Sequence, residues 1–440
     1  MAVKGTYLDL AGTPSALRAS VLGSFGGKAA EMATLLALAT LVPRALGPHA
    51  YGRFALPLTV VTLGSLALTL GGPAVLARFV PAAPAQQRPA VARALGWRLA
   101  KGRMAQLAGA GVLVVVVAAS GRTTISGRDA LLVSAALALN VAATLILQVG
   151  LGLGRTVPWT LRYPLQNAVL IAGVLALHRP AGPVGGLWAL VLAGGVGVAY
   201  AAVSLRAELR SVLAAPSAEL PSGALRFGVL SAGGAALTQV AQRGGVVAVA
   251  LLGPGAVAVG HTSLALGIAL GATYAVLQAF TVSLPHLAGS RHAAAAEPAL
   301  RRLAELLLAP LALGCTLAAV TIDRVVPLVF GDRFVDAADA FGPALVLVVL
   351  APVSSLLVQA AALRLRPEAV LSMGLANLAG FAAAAVLAVP SAGAVGGTGA
   401  AAAGAALGVA VGLRLLPGAA GGRLVAATVV AAVVLAGASW

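Results

Sequence analysis

Hydrophobic stretches of roughly 16 to 25 residues recur about every thirty positions from Leu17 onward, with only short polar joints between them. No water-soluble fold buries that much apolar surface behind so few charges, since 60% of the residues are hydrophobic and 9% are charged. A hydrocarbon crossing needs about 20 apolar residues, and lipid offers no partner for backbone polar groups, so runs of this length read as helices. The expected fold class is an all-α polytopic membrane protein with 12 core transmembrane helices. The segments lie near 20–42, 54–77, 104–120, 130–152, 163–178, 187–205, 227–251, 261–285, 303–321, 340–363, 369–389 and 398–413. An extra apolar segment, Leu424 to Gly437, follows Leu416-Pro417-Gly418 and is short for a full crossing.

The net charge of +17 would suggest nucleic acid in a soluble chain, but its distribution assigns it to topology. Counted from a cytoplasmic N-terminus, the joints on one side carry 20 Lys and Arg and those on the other carry 7. The positive-inside rule then places the N-terminus in the cytoplasm, and no nucleic-acid partner is expected. The longest polar joint, Pro81 to Arg103, is too short for a soluble catalytic domain. The single cysteine, Cys315, excludes an internal disulfide and cysteine-based metal sites. The first sixteen residues lack the pattern of a removable signal peptide, so the segment after Leu17 is expected to be a retained span.

A repeat divides the chain. Gly26-Gly27-Lys28-Ala29-Ala30 leads to Leu46-Gly47-Pro48, and Gly233-Gly234-Ala235-Ala236 leads to Leu252-Gly253-Pro254. Each copy opens a set of six segments. Because six is even, the two lobes would be parallel repeats enclosing a cavity. The expected units are 1–210, 211–416 and a short hydrophobic tail, 417–440.

The segment Leu46-Gly47-Pro48-His49-Ala50-Tyr51-Gly52-Arg53-Phe54-Ala55-Leu56 resembles the turn after the first helix of a known transporter group. That group is the polysaccharide and oligosaccharide-lipid flippases of the multidrug/oligosaccharidyl-lipid/polysaccharide exporter superfamily. Val329-Phe330-Gly331-Asp332-Arg333-Phe334 and Ala394-Val395-Gly396-Gly397-Thr398-Gly399-Ala400 resemble two further elements of it, in the same order. The resemblance implies two lobes alternating between inward-open and outward-open states in the bacterial inner membrane. It also implies an undecaprenyl-pyrophosphate-linked saccharide as cargo, with envelope glycosyltransferases and a polymerase as partners. The odd segment count departs from the twelve-span and fourteen-span forms of the group.

Charges inside hydrophobic segments are costly, which makes them candidates for function. Lys28 and Glu31 share a helical face in segment 1, where Lys28 could meet a substrate phosphate and Glu31 could orient it or take a coupling proton. An internal ion pair is the plainer alternative. Arg243 occupies the corresponding segment of the second half, with Gln239 and Gln242 on nearly the same face, and a guanidinium suits bidentate phosphate binding. Asn140, Thr144 and Gln148 form a stripe on segment 4, and Gln166 and Asn167 follow Arg162 on segment 5. Gln278, Gln359 and Asn377 stand alone, and all these groups could bind sugar hydroxyls or simply bond between helices. His261 and His286 read as interfacial, and Glu305 as an ion-pair partner of Arg301 and Arg302.

The sequence shows no phosphate-binding Gly-Lys-Ser/Thr loop, no zinc-protease helix and no plausible catalytic triad, so neither a cofactor nor enzymatic activity is expected. Energy would come from an ion gradient or from substrate supply and removal. Two alternatives stand beside the flippase: a cation-coupled multidrug exporter, kept open by Glu31, and a membrane glycan polymerase or ligase. The last would need a large external loop, and the longest outer joint, Thr321 to Ala338, is short.

Overall fold

The computed structural model describes residues 14–68, 72–119, 121, 126–216, 218–220, 223–288, 293–364 and 366–437, and some side chains within its helices, such as those of Lys28 and Gln278, fall outside the described residues. Thirteen α-helices make up nearly all of it, with no strand among the described residues: α1 (Pro14–Leu68), α2 (Gly72–Ala82), α3 (Arg88–Ala119), α4 (Gly127–Gly152), α5 (Thr156–Ala181), α6 (Pro183–Ser204), α7 (Arg206–Ala214), α8 (Ala224–Leu252), α9 (Ala256–Ala288), α10 (Ala293–Phe330), α11 (Phe341–Leu363), α12 (Pro367–Leu415) and α13 (Gly422–Gly437). A 3-10 segment, Asp332–Ala340, joins α10 to α11.

Ten of these helices are long and apolar enough to cross a membrane. Two of them are bent at glycines whose backbone leaves the helical region, Gly47 (φ 73°) in α1 and Gly393 (φ 51°) in α12. Glycine alone takes such angles cheaply, and Pro48 suits the start of the next limb because it has no N–H to leave unpaired. Each bend makes two limbs, so the twelve expected segments are all present. The chain is a multi-pass helical membrane protein.

Two expected joints are helical instead. The region from Pro81 to Arg103 was expected to be polar connection, yet only 83–87 separate α2 from α3. The cations there alternate at helical spacing with Val91, Ala92 and Leu95, which are buried. α7 occupies the connection after segment 6 in the same way, burying Leu205 and Val212 while Arg206 and Arg210 stay exposed. Polar residues at a helical period look like a joint to a hydropathy average.

Packing follows the repeat. Gly27 of α1 lies so close to Thr160 of α5 that an added methyl would sit 2.9 Å from the Thr160 Cβ. At Gly234 of α8 the same methyl would lie 2.2 Å from the Val370 carbonyl oxygen on the first limb of α12. Each Gly-Gly copy therefore rests on the fifth span of its own half. In lipid, where apolar contact gives helices no preference for one another, such close approach is the main source of affinity. Contacts between the halves fall almost wholly to α1 and α2, which touch α8, α9, α10 and the 332–340 segment.

α13 has 16 residues, about 24 Å of helix, less than the hydrocarbon thickness of about 30 Å. It rests on α11 and α10, burying Leu424, Thr428 and Leu435 and exposing Val429, Val430 and Val433. Three arginines hold the joint before it. Arg301 donates to the Gly418 and Ala419 carbonyls, Arg364 to Pro417 O at 3.3 Å and Arg366 to Leu415 O at 3.2 Å. Arg301 thus serves helix-end carbonyls that lack partners, not the expected Glu305. Arg364 also grips Glu297 with both arms (2.5 and 3.1 Å), and this hydrogen-bonded pairing raises the guanidinium pKa further. Replacing Arg301 and Arg364 together by Ala should release this joint, measurable as faster proteolysis within 416–421 with the twelve core segments intact.

Candidate functional site

Two buried arginines of the first half bond to side chains of α4. Arg162, 1% exposed, lies on α5 next to α4, although its position suggested a joint. Its Nε donates to Gln166 Oε1 (2.8 Å) and its Nη1 to Thr144 Oγ1 (2.5 Å). Nη2 donates to the side-chain and backbone oxygens of Asn140 at 2.6 and 3.0 Å. The hydrophobic run of segment 5 begins beside Arg162, so only the match between an arginine and polar groups at helical spacing on both helices could have revealed it. Arg103 on α3 is likewise buried and donates to Gln148 Oε1 at 2.8 Å. Asn140 and Gln148, expected as sugar ligands, here hold arginines.

The polar groups nearer the boundary between the halves are arranged differently. Glu31 on α1 is buried, and Tyr274 of α9 donates to its Oε1 at 3.4 Å, so this contact crosses from one half to the other. One turn along, Thr34 accepts from Asn167 Nδ2 at 3.2 Å, which ties α1 to α5. The Lys28 side chain, and with it the expected pairing to Glu31, lies outside the described residues, as do those of Gln278 and His286.

Arg243 sits mid-way along α8, and its Nε donates weakly to Gln239 Oε1 at 3.4 Å. Its other N–H groups make no hydrogen bond among the described residues. The residue remains partly accessible. It lies within electrostatic reach of Tyr163 on α5, a residue 38% exposed whose ring also stands 5.0 Å from the Arg162 guanidinium carbon. α5 and α8 do not pack extensively against each other among the described residues. Gln242, next to Arg243, is buried, and its Oε1 has no partner among the described residues. A cation with unused donors next to an accessible aromatic ring can hold an anion and stack a ring.

The two Leu-Gly-Pro turns meet across the halves. A methyl on Gly52 would lie 1.7 Å from Ala256 O, and one on Gly260 would lie 2.5 Å from Pro48 O, so the two backbones touch reciprocally. Phe334 plugs the contact, with ring centroids 6.4 Å from Tyr51, 6.3 Å from Phe330 and 6.1 Å from His261. Tyr51 and Ser263 are joined by a 3.2 Å hydrogen bond. His261 was expected at an interface but is buried here, because the 332–340 segment folds over it.

By sequence the chain matches no protein-family model and no curated protein. Its fold does match solved structures. An inward-facing multidrug resistance MATE family transporter of the MOP superfamily aligns with a TM-score of 0.65 at 14% identity, covering 90% of this chain and 95% of that one. Lipid II flippase MurJ in an inward closed conformation gives 0.65 at 9% identity, over 94% and 91%. A MOP superfamily transporter from Pyrococcus furiosus gives 0.51 at 16%, over 93% and 95%. The fold is the one these transporters share.

Arg162→Ala removes the donor to the buried Thr144 and Gln166 and to the partly buried Asn140, so it should cost about 2–5 kcal/mol and sharply reduce folded yield. Arg243→Gln should leave yield and thermal midpoint near those of the parent protein. Comparing detergent-solubilised melting curves of the two variants checks the contrast. For the seal, Gly52→Leu should force the turns apart. With Cys315→Ala and Ser263→Cys as background, an impermeant maleimide should label residue 263 far faster once Gly52 is replaced, and equal rates would mean the contact is no seal.

Proposed function

We propose that this protein carries an undecaprenyl-pyrophosphate-linked saccharide across the bacterial cytoplasmic membrane, from the inner to the outer leaflet. Two six-helix lobes, 1–210 and 211–416, would alternate access to the space between them. Moving a diphosphate through about 30 Å of hydrocarbon requires a polar shelter that leaves the lipid tail outside. The observation that carries this reading is Arg243, a permanently charged group mid-way along α8 that is partly accessible and whose one hydrogen bond among the described residues is the weak one to Gln239. It would receive the phosphates bidentately, Lys28 would add a cation from the first lobe, and Gln239 and Gln242 would take the remaining oxygens or sugar hydroxyls. Asn140 and Gln148 would act indirectly by fixing Arg162 and Arg103.

The contact between the Leu-Gly-Pro turns supports a state open towards the opposite end. The sequence assigns 20 joint cations to the opposite side, and even without the buried Arg103 and Arg162 the bias of 18 to 7 supports, by the positive-inside rule, assigning that end to the cytoplasm. Resemblance in fold to both a lipid flippase and a multidrug transporter supports transport in general. A polymerase or ligase loses support, because the joint that would have held its external loop is instead α10 and the folded-in 332–340 segment.

Buried Glu31 favours a second reading, a cation-coupled exporter, since an intramembrane carboxylate can carry a proton. Reconstitution separates the two. In proteoliposomes containing a fluorescent lipid-linked oligosaccharide, Lys28→Ala with Arg243→Ala should reduce flipping at least about tenfold, the loss of one charge-assisted contact or more. Unchanged flipping would remove both residues from the mechanism. Glu31→Gln should preserve flipping when the proton gradient is collapsed, whereas proton-driven dye efflux abolished by Glu31→Gln would establish the exporter.

A further inference from the structure

α3 is longer than a membrane crossing requires. Its 32 residues span about 48 Å, whereas about 20 residues cover the hydrocarbon. Counted back from Ala119, the hydrocarbon ends near position 99, so the first three turns stand outside it. The residues at that boundary are Trp97, Arg98, Lys101 and Met104. Trp97 is 64% exposed and Met104 67% exposed, while the Lys101 ammonium rests 5.6 Å from the Trp97 ring.

α7 lies against this part of α3. Val212 of α7 shares a small apolar cluster with Val91 and Leu95 of α3, and Arg93 donates to the Ala215 carbonyl just past the end of α7. With that face occupied, α7 turns Arg206, Arg210 and Leu213 outward on one stripe. Among the described residues, α2, α3 and α7 carry a single carboxylate, Glu208. Arg155 binds it at 2.5 Å, and hydrogen bonding at the first turn of α7, followed by this arginine, holds its pKa below the usual carboxylate range. Among the described residues no other acidic group on these elements competes for Arg98, Lys101, Arg206 and Arg210.

We infer that α3 and α7 form a binding surface for anionic phospholipid headgroups of the surrounding bilayer, distinct from the space around Arg243. Arg98, Lys101, Arg206 and Arg210 face the phosphates. Trp97, Met104 and Leu213 enter the headgroup-acyl boundary, the arrangement of an interfacial amphipathic helix. A charge bias serving topology alone does not require apolar side chains ordered beside the cations.

Trp97 reports on this surface. With Trp159, Trp188 and Trp440 replaced by Phe, the full chain is reconstituted in bilayers containing brominated phosphatidylglycerol or, at equal mole fraction, brominated phosphatidylcholine. The anionic lipid should quench Trp97 as though enriched about tenfold at the site. That preference should disappear with Arg98→Gln, Lys101→Gln, Arg206→Gln and Arg210→Gln combined. Should the fourfold variant fold poorly, raising the salt on the parent should abolish the preference instead. Equal quenching by the two lipids overturns the inference. Relief of quenching by stoichiometric undecaprenyl pyrophosphate overturns it too, because the surface would then bind cargo rather than bilayer lipid. Neither result depends on whether the protein transports anything.

Discussion

Backbone-to-backbone approach through small residues is the constraint on which the rest of this structure depends. Surrounded by lipid, an apolar side chain is as content against an acyl tail as against another helix, so the bundle cannot be held by hydrophobic burial alone. It is held where glycine removes the spacer between helices: Gly27 on Thr160, Gly234 on Val370, Gly404 on Asn377 and Gly52 on Ala256. At Gly234 and Gly374 the two helices are close enough that a methyl on either would overlap the backbone of the other. Closeness of that order also shortens dispersion contacts along both helices, so each glycine acts on its neighbours as well as on itself.

The same medium explains why Arg162 and Arg243 have different roles although both are intramembrane guanidinium groups. A charge sealed in low dielectric must have its donors satisfied, and Asn140, Thr144 and Gln166 do that for Arg162. Among the described residues Arg243 has one weak internal bond and stays partly accessible, a state tolerable where water or another polar group completes its shell. Satisfied donors make a joint between helices. Tyr163 stands close to the fixed cation, Arg162.

The twelve segments were legible because a bilayer imposes length and hydropathy on anything that crosses it. The bend at Gly47 was legible as well, since Leu46-Gly47-Pro48 combines a positive-φ residue with a helix-starting proline. Less visible were α7 and the first turns of α3, where cations at helical spacing lower the local hydropathy to that of a loop. Arg162 was hidden differently. It abuts a hydrophobic run, and nothing local distinguishes a headgroup arginine from a buried one until its partners on α4 are known. Arg243 stood out because it falls in the middle of a hydrophobic segment, beside uncharged Gln239 and Gln242.

The division of contacts between the halves constrains how they could move. α3, α4, α5 and α6 scarcely touch the second half, whereas α1 packs on α5 and α4 as well as on α9 and α8. α1 is also the helix that Gly47 divides, and its second limb begins at the reciprocal Gly52 and Gly260 contact. A helix bonded to both halves, with a glycine bend next to the seal, can let the turns separate while Glu31 and Tyr274 remain in contact deeper in the bundle. Opening at the seal then exchanges one backbone contact and the Phe334 plug for water. It leaves the glycine-packed interior of each half untouched, as rigid-body movement requires.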